Sequence, residues 1–151
     1  MRFSGFRELV DHMAAEQGDA VAFVHGDACA EVTWAAFAEA VRVRADLLSA
    51  EDARCEAIVA DGSLGCVVEV FAANRAGRAV VMLDESLNEQ LRLALCDATG
   101  ADALWADGAV KTLNCTRPFL TSEGEMLFFT SGTTSRSKAV VLTDASLMAS
   151  A

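Results

Sequence analysis

The stretch Met126-Leu127-Phe128-Phe129-Thr130-Ser131-Gly132-Thr133-Thr134-Ser135-Arg136-Ser137-Lys138-Ala139-Val140-Val141-Leu142 sets a hydroxyl-rich loop with one glycine and a terminal cation between two short apolar runs. Residues 126–129 read as a strand delivering the chain into the loop, and 139–142 as a strand leaving it, so a sheet presents the loop. Gly132 lets bare backbone N–H groups approach an anion. The hydroxyls of Thr130, Ser131, Thr133, Thr134 and Ser135 can donate hydrogen bonds, and Lys138 can set an ammonium charge against phosphate oxygens. Together they suit a polyphosphate. A Walker A loop is excluded, because it needs G-x-x-x-x-G-K-[ST] opening a helix and Gly132 has no second glycine before Lys138.

Working back from the loop, helices and strands alternate in the pattern that builds a mainly parallel α/β sheet flanked by helices. Residues 79–83 form a short continuous apolar run, as a strand buried on both faces should, and 57–60 repeat it. Asp61-Gly62-Ser63 turns the second run into a helix predicted to face Leu64, Val67, Val68 and Phe71 inward and to end at Gly77. Ser86-Leu87-Asn88-Glu89 has the pattern of a capping box for a helix running to about Asp97, with Gly100 beyond it. Residues 103–106 make a further strand, after which Asp107-Gly108 turns the chain toward 109–113, and 114–124 hold the only proline, Pro118. Nearer the start, a first helix spans residues 3–17, and 21–24 and 31–33 flank the hairpin turn His25-Gly26-Asp27. Thr33 caps a helix with Trp34, Phe37, Val41 and Leu48 on one face, and Thr143 caps a last one.

Composition bounds the function. The chain has 151 residues, enough for one domain or part of one that buries roughly 70% of its unfolded surface. Its net charge of −10, with 22 acidic against 12 scattered basic residues, argues against a nucleic-acid surface. No apolar run nears the roughly 20 residues needed to span a bilayer, and residues 1–8 lack a signal-peptide core, so the reading is cytoplasmic. Hydrophobic residues make up 53% of the chain and mean hydropathy is +0.30, which fits surface that meets a missing remainder or self-associates. Cys29, Cys55, Cys66, Cys96 and Cys115 are odd in number and widely spaced, indicating reduced, mostly buried thiols rather than disulfides or a zinc site. His12 and His25 have no neighbouring nucleophile or second ligand, so packing or surface roles are expected. The same holds for Asp61-Gly62-Ser63-Leu64-Gly65, read as a cap, and for Asp84, Glu85 and Glu89, read as a strand-end turn and cap.

The loop wording T-S-G-T-T-S-R-S-K-A, followed by V-V-L-T-D-A-S-L, resembles the signature of adenylate-forming enzymes, approximately T-S-G-T-T-G-x-P-K-G followed by V-V-L-T-H-x-N-L. Within that family it looks more like the acyl-CoA synthetase branch than the peptide-synthetase branch. Residues 71–84 are similar to the family's A-x-x-R-A-G-A-V-x-V-P-L-x-P stretch, and residues 18–37 to its opening hairpin and helix. The resemblance implies that residues 1–151 are an incomplete N-terminal segment of an AMP-binding domain whose C-terminal parts, with the remaining catalytic groups, lie downstream.

It further implies an AMP-forming acid–CoA ligase as the parent: a carboxylate attacks the α-phosphate of ATP, pyrophosphate leaves, and coenzyme A takes the acyl group. Thr130, Ser131, Gly132, Thr133, Thr134, Ser135 and Lys138 would bind the ATP phosphates, with Thr134 near Mg2+, and no residue here would be a nucleophile or base. The partners implied are a small carboxylic acid, ATP and the rest of the same polypeptide, and the fragment alone is expected to be inactive. Ser135, Ser137 and Ala139 stand where the family has glycine, proline and glycine, and Asp144 puts a carboxylate close to where it usually has a histidine. A non-catalytic relative or assembly module with weak or no nucleotide binding is the alternative reading.

Overall fold

The computed structural model describes residues 3–26, 29–115, 117–119, 124–130 and 138–150. Helix α1 (Phe6–Gln17) leads to a hairpin, β1 (Val21–His25) and β2 (Ala30–Thr33), and then to α2 (Trp34–Ser49). There follow β3 (Cys55–Ala60), α3 (Leu64–Arg75), β4 (Ala79–Asp84), α4 (Glu89–Thr99), β5 (Ala103–Ala106) and β6 (Ala109–Thr112). The last elements are β7 (Glu125–Thr130), β8 (Lys138–Thr143) and α5 (Asp144–Ser150).

The main sheet has the strand order β6-β5-β3-β4-β7-β8, while β1 and β2 form a separate ribbon. Pairings β5–β3, β3–β4 and β4–β7 are parallel, and both outer pairings are antiparallel. The predicted mainly parallel sheet is therefore a parallel core with an antiparallel hairpin closing each edge. The hairpin at the β6 edge is only half legible in the sequence: Asp107 and Gly108 both adopt positive φ, 53° and 77°, as a tight two-residue hairpin turn requires, and residues 109–112 pair back onto β5.

Side chains along the central strands alternate between two cores. Ile58, Val80 and Met126 join Phe37, Val41 and Leu48 on the face covered by α2 and α3. Ala57, Val59, Val81, Leu83 and Leu127 pack with Cys96 of α4 on the other. Because both faces are covered, β3 and β4 read as continuous apolar runs rather than alternating ones.

Local chemistry sets the helix ends. The Thr33 hydroxyl accepts the Ala36 N–H at 3.2 Å, and the Ser63 hydroxyl accepts that of Cys66 at 3.0 Å, as expected of caps. Thr143 does the same for α5, accepting from the Ser146 N–H at 3.2 Å. Two expectations need correction. The cap of α4 is Asn88, whose side-chain Oδ1 accepts the Leu91 N–H at 2.9 Å, and not Ser86. The Ser86 N–H is already held by Asp84 at 2.8 Å, which keeps that residue in the preceding turn. In α3 the residues expected to face inward, Leu64, Val67, Val68 and Phe71, are only partly buried against the core, and Cys66, Glu69, Ala72 and Ala73 are buried. The helix is apolar on most sides because it lies between the sheet, α1 and α2, so its small residues can sit nearest its neighbours.

Candidate functional site

The loop singled out by the sequence lies between β7 and β8, and its two ends are fixed by the last pair of their ladder, Thr130 opposite Lys138. The Thr130 hydroxyl donates to the Lys138 carbonyl at 3.3 Å, closing the neck of the loop. Lys138 is exposed at that neck. Ser131, Gly132, Thr133, Thr134, Ser135, Arg136 and Ser137 lie outside the described residues, so of the seven phosphate-site candidates the structure places Thr130 and Lys138. Thr134, the residue expected beside a metal, is among those not placed.

The neck sits at the carboxyl end of β7, next to the carboxyl end of its parallel neighbour β4. Consecutive crossovers leave β3 and β4 toward opposite faces, α3 to one and α4 to the other. In open α/β sheets the crevice at such a reversal is where ligands collect. Its walls carry two aspartates engaged in their own turns. Asp61 accepts the Ser63 N–H at 2.9 Å, and Asp84 is held below the usual carboxylate range by hydrogen bonds from the side chain and then the backbone of Ser86. Beside β4 and β7, toward α4, lies a cavity of about 270 Å3 lined by Met82, Leu87, Leu91, Leu95 and Phe129, with Asp84, Ser86 and Thr130 as its polar members. An apolar pocket bordered by the neck of a hydroxyl-rich loop is suited to a molecule that is apolar at one end and anionic at the other.

Asp144, the residue that stands where the family pattern usually has a histidine, lies away from the neck. It follows the far end of β8, six residues from Lys138, which along an extended strand is roughly 20 Å. Its Oδ1 accepts the Asn74 amide at 2.9 Å, and its carboxylate also takes the backbone N–H of Phe6, the first residue of α1. Residue 5, the N-cap of α1, is a glycine with no side-chain cap of its own, and a Cβ there would come within 2.7 Å of Asp144 Oδ2. Asp144 thus supplies from another helix the cap that α1 lacks. Burial raises its carboxyl above the ordinary value, while the Asn74 and Phe6 hydrogen bonds pull the other way.

The remaining candidates separate cleanly. Cys55, Cys66 and Cys96 are buried and form no disulfide among the described residues, and burial pushes the Cys96 thiol up to about 11, far from a reactive thiolate. Cys29 is exposed and Cys115 half-buried, so the expectation of buried thiols holds for three of the five. His12 stacks on Phe3 with ring centroids 5.2 Å apart, a packing role. Among the described residues no group of three or more His, Cys, Asp or Glu could hold a metal ion, and no helix is long and apolar enough to cross a membrane.

Sequence reasoning missed a buried ionic cluster beneath α2 and α3. Arg78 donates to Glu56 at 2.8 Å, to Glu51 at 3.0 Å and to the Leu48 carbonyl at 2.6 Å, and Arg44 grips Glu69 with two bonds of 2.6 and 2.7 Å. The signal is a glutamate one residue before the buried run 57–60 and an arginine one residue before the run 79–83, which read as flanks rather than as strand and core.

No family model and no curated protein matches the sequence. Solved structures do match the fold. The N-terminal subdomain of Klebsiella oxytoca NpsA, in complex with anthranilyl-AMSN, superposes with a TM-score of 0.73 at 21% identity, over 93% of this chain and 41% of that one. The O-succinylbenzoate coenzyme A synthetase MenE of Bacillus subtilis, in complex with AMP, gives 0.68 at 20% identity, over 91% and 42%. The nonribosomal peptide synthetase FmoA3, in its AMPPNP-bound form, gives 0.72 at 16% identity, over 94% of this chain and 17% of that one. The chain spans about two fifths of the length of the first two. Its 151 residues have the α/β fold of the N-terminal part of adenylate-forming enzymes.

Proposed function

We propose that residues 1–151 form the N-terminal part of an ATP-dependent enzyme that activates a carboxylic acid as its acyl-adenylate, with loop 130–138 holding the ATP phosphates. The observation that carries this reading is the pairing of the T-S-G-T-T wording with its place in the fold: the loop springs from the carboxyl end of β7, beside the crevice, in a fold shared with structures that bind AMP and adenylate analogues. In the reaction the acid's carboxylate attacks the α-phosphorus, the bond to the bridging oxygen breaks, and pyrophosphate departs carrying the developed charge. Backbone and hydroxyl donors of Ser131, Gly132, Thr133, Thr134 and Ser135 would meet the β- and γ-phosphates, joined by Thr130 if its hydroxyl turns from the Lys138 carbonyl, and Lys138 at the neck would offset their charge. Mg2+ would arrive as the ATP complex, held chiefly by phosphate oxygens with Thr134 beside it, which suits an ion that keeps much of its shell and needs few protein ligands.

The acyl- or aryl-CoA ligase branch, with coenzyme A as the acceptor, is favoured by the continuation V-V-L-T after the loop. The rest of the polypeptide would supply the groups that bind ribose, metal and acid, so the 151-residue chain alone would bind nucleotide without turning it over. A cytoplasmic location follows from such a role. The second reading, a non-catalytic relative or assembly module, draws on Ser135, Ser137 and Ala139. If the glycine at the first position uses positive φ, serine costs about 1 kcal/mol there, and losing the proline leaves the loop freer before it is ordered.

Calorimetric titration of the chain with MgATP separates the two. Under the ligase reading ATP binds, and Lys138→Ala weakens binding by about tenfold or more, the loss of one charge-assisted contact. Absent binding, or an affinity indifferent to Lys138→Ala, would overturn the phosphate-loop assignment and leave the assembly module.

A further inference from the structure

The buried cluster under α2 and α3 contains an oxygen with no partner. Glu56 sits inside β3, between Ala103 of β5 and Val80 of β4, and is fully buried at 0% exposure. Its Oε2 accepts from Arg78, and its Oε1 has no hydrogen-bond partner among the described residues. The neighbour within hydrogen-bonding reach of the Glu56 carboxyl is a second carboxyl, that of Glu69 on α3, itself 2% exposed. Two carboxylates offer each other only acceptors, and an unsatisfied charge in a dry interior is the most costly of polar arrangements.

The groups facing this spot can be counted element by element. Helix α2 contributes Arg44, and the turn after it Glu51; α3 contributes Glu69, and the turn into β4 contributes Arg78. Beside Glu56 in the ladder the adjoining strands bring the uncharged Val80 and Ala103, and Trp105 of β5 and Val110 of β6 border the space next to Arg44, Glu51 and Glu69. With every group ionised, three carboxylates face two guanidiniums. Both guanidiniums are already engaged, Arg44 with both oxygens of Glu69 and Arg78 with Glu56, Glu51 and the Leu48 carbonyl. One added proton balances the charge and satisfies the orphan oxygen at once.

We propose that Glu56 carries a proton on Oε1 in the folded chain and donates it to the Glu69 carboxylate, so that the five-residue cluster is a pH-responsive clamp holding α2 and α3 onto β3. Burial first, and Glu69 next, push the Glu56 carboxyl up from an ordinary 4.5 to about 8, with Arg78 pulling the other way. The sign of the effect on stability follows. Below about 4.5 the folded and unfolded chains both hold the proton. Between there and about 8 the folded chain keeps a proton that the unfolded chain has released, so each rise in pH favours unfolding. Above that window the proton is lost from both states, the two carboxylates repel, and the clamp holding the helices to the sheet is at its weakest.

Carboxyl-carbon NMR on the 151-residue protein with labelled glutamate tests this directly. One glutamate should titrate with a midpoint near 8, and its signal should vanish in Glu56→Gln. In Glu69→Gln, which keeps an acceptor but removes the neighbouring charge, the midpoint of Glu56 should fall. Urea unfolding at pH about 6 and about 9 should show the wild type losing stability with rising pH and Glu56→Gln, permanently neutral and still a donor, losing less. Comparing the two proteins cancels the contribution of every other ionisable group they share. Should Glu56→Gln fail to fold, the wild-type titration decides alone. Titration of every glutamate in the ordinary carboxylate range, an unmoved midpoint in Glu69→Gln, or an identical pH slope in Glu56→Gln would each overturn the shared proton.

Discussion

Strands β3 and β8 are both six residues long and both apolar, yet they live in opposite environments. Strand β3, C-E-A-I-V-A, lies between β5 and β4 with five of its six residues buried, and its one acidic side chain is held by an arginine. Strand β8, K-A-V-V-L-T, is an edge, and Val140 and Val141 stand 38% and 43% exposed. The first is finished as a structural element. The second has, among the described residues, one partner strand, with an apolar surface facing outward and the neck of the candidate phosphate loop at its start. Stability is invested in the parallel centre, and the proposed recognition belongs to the hairpin at its margin, which is where a sheet can present a loop without exposing its core.

The largest expected break in this comparison is Ile58→Ala in β3. Ile58 is completely buried between helix and strand neighbours, and such a truncation costs about 2–5 kcal/mol, depending on how far the surroundings relax. Urea unfolding of the chain should show a lower midpoint with an unchanged slope. A loss below about 1 kcal/mol would mean that the core around β3 closes over the cavity and is looser than its burial indicates.

How much of the molecule is legible in its sequence follows the same division. The buried strands are readable because a continuous apolar run of strand length, bounded by Gly and Asp in an alternating chain, fits little besides a strand covered on both faces. The caps at Thr33, Ser63 and Thr143 are readable because a hydroxyl preceding a helical pattern satisfies a free N–H through local geometry. What depends on distant residues is not. Glu56 and Arg78 are 22 residues apart, and nothing local says that one guanidinium will bridge a strand, a helix end and a turn. Asp144 escapes a local reading for a related reason: the histidine usual at its position says nothing of its role, which comes from Gly5 and Asn74, both far away in sequence. Of the candidate site, the flanking strands and the neck follow from periodicity, and the loop's wording is what the proposed phosphate chemistry rests on.

Asp144 gives the intermediate test, because it ties the margin to the body. By capping α1 and accepting from Asn74 of α3, it anchors the point where β8 passes into α5. Asp144→Ala removes a cap and leaves the Asn74 amide without that acceptor, so about 1–2 kcal/mol is expected. The location of the loss matters more than its size. Hydrogen exchange should quicken in the first turn of α1 and in α5, with β3 and β4 unaffected, and uniform quickening across the sheet would show that the margin and centre open as one unit.

The smallest effect on stability, and the sharpest contrast with Ile58, is expected from Val141→Lys. The side chain is opposite Leu127 in the β7–β8 ladder but nearly half exposed, so replacing it should change the unfolding free energy by no more than about 0.5 kcal/mol. Its consequence lies in association. An apolar edge with unpaired backbone groups is a template for another strand, and a lysine there blocks that pairing at little cost to the fold. Light scattering on the 151-residue chain should therefore show self-association in the wild type that falls in Val141→Lys, while the thermal midpoints nearly coincide. Equal association in the two proteins would place the sticky surface elsewhere. A large loss of stability would mean instead that β8 is already as much a part of the core as β3, and that the division between a finished centre and an open margin does not hold.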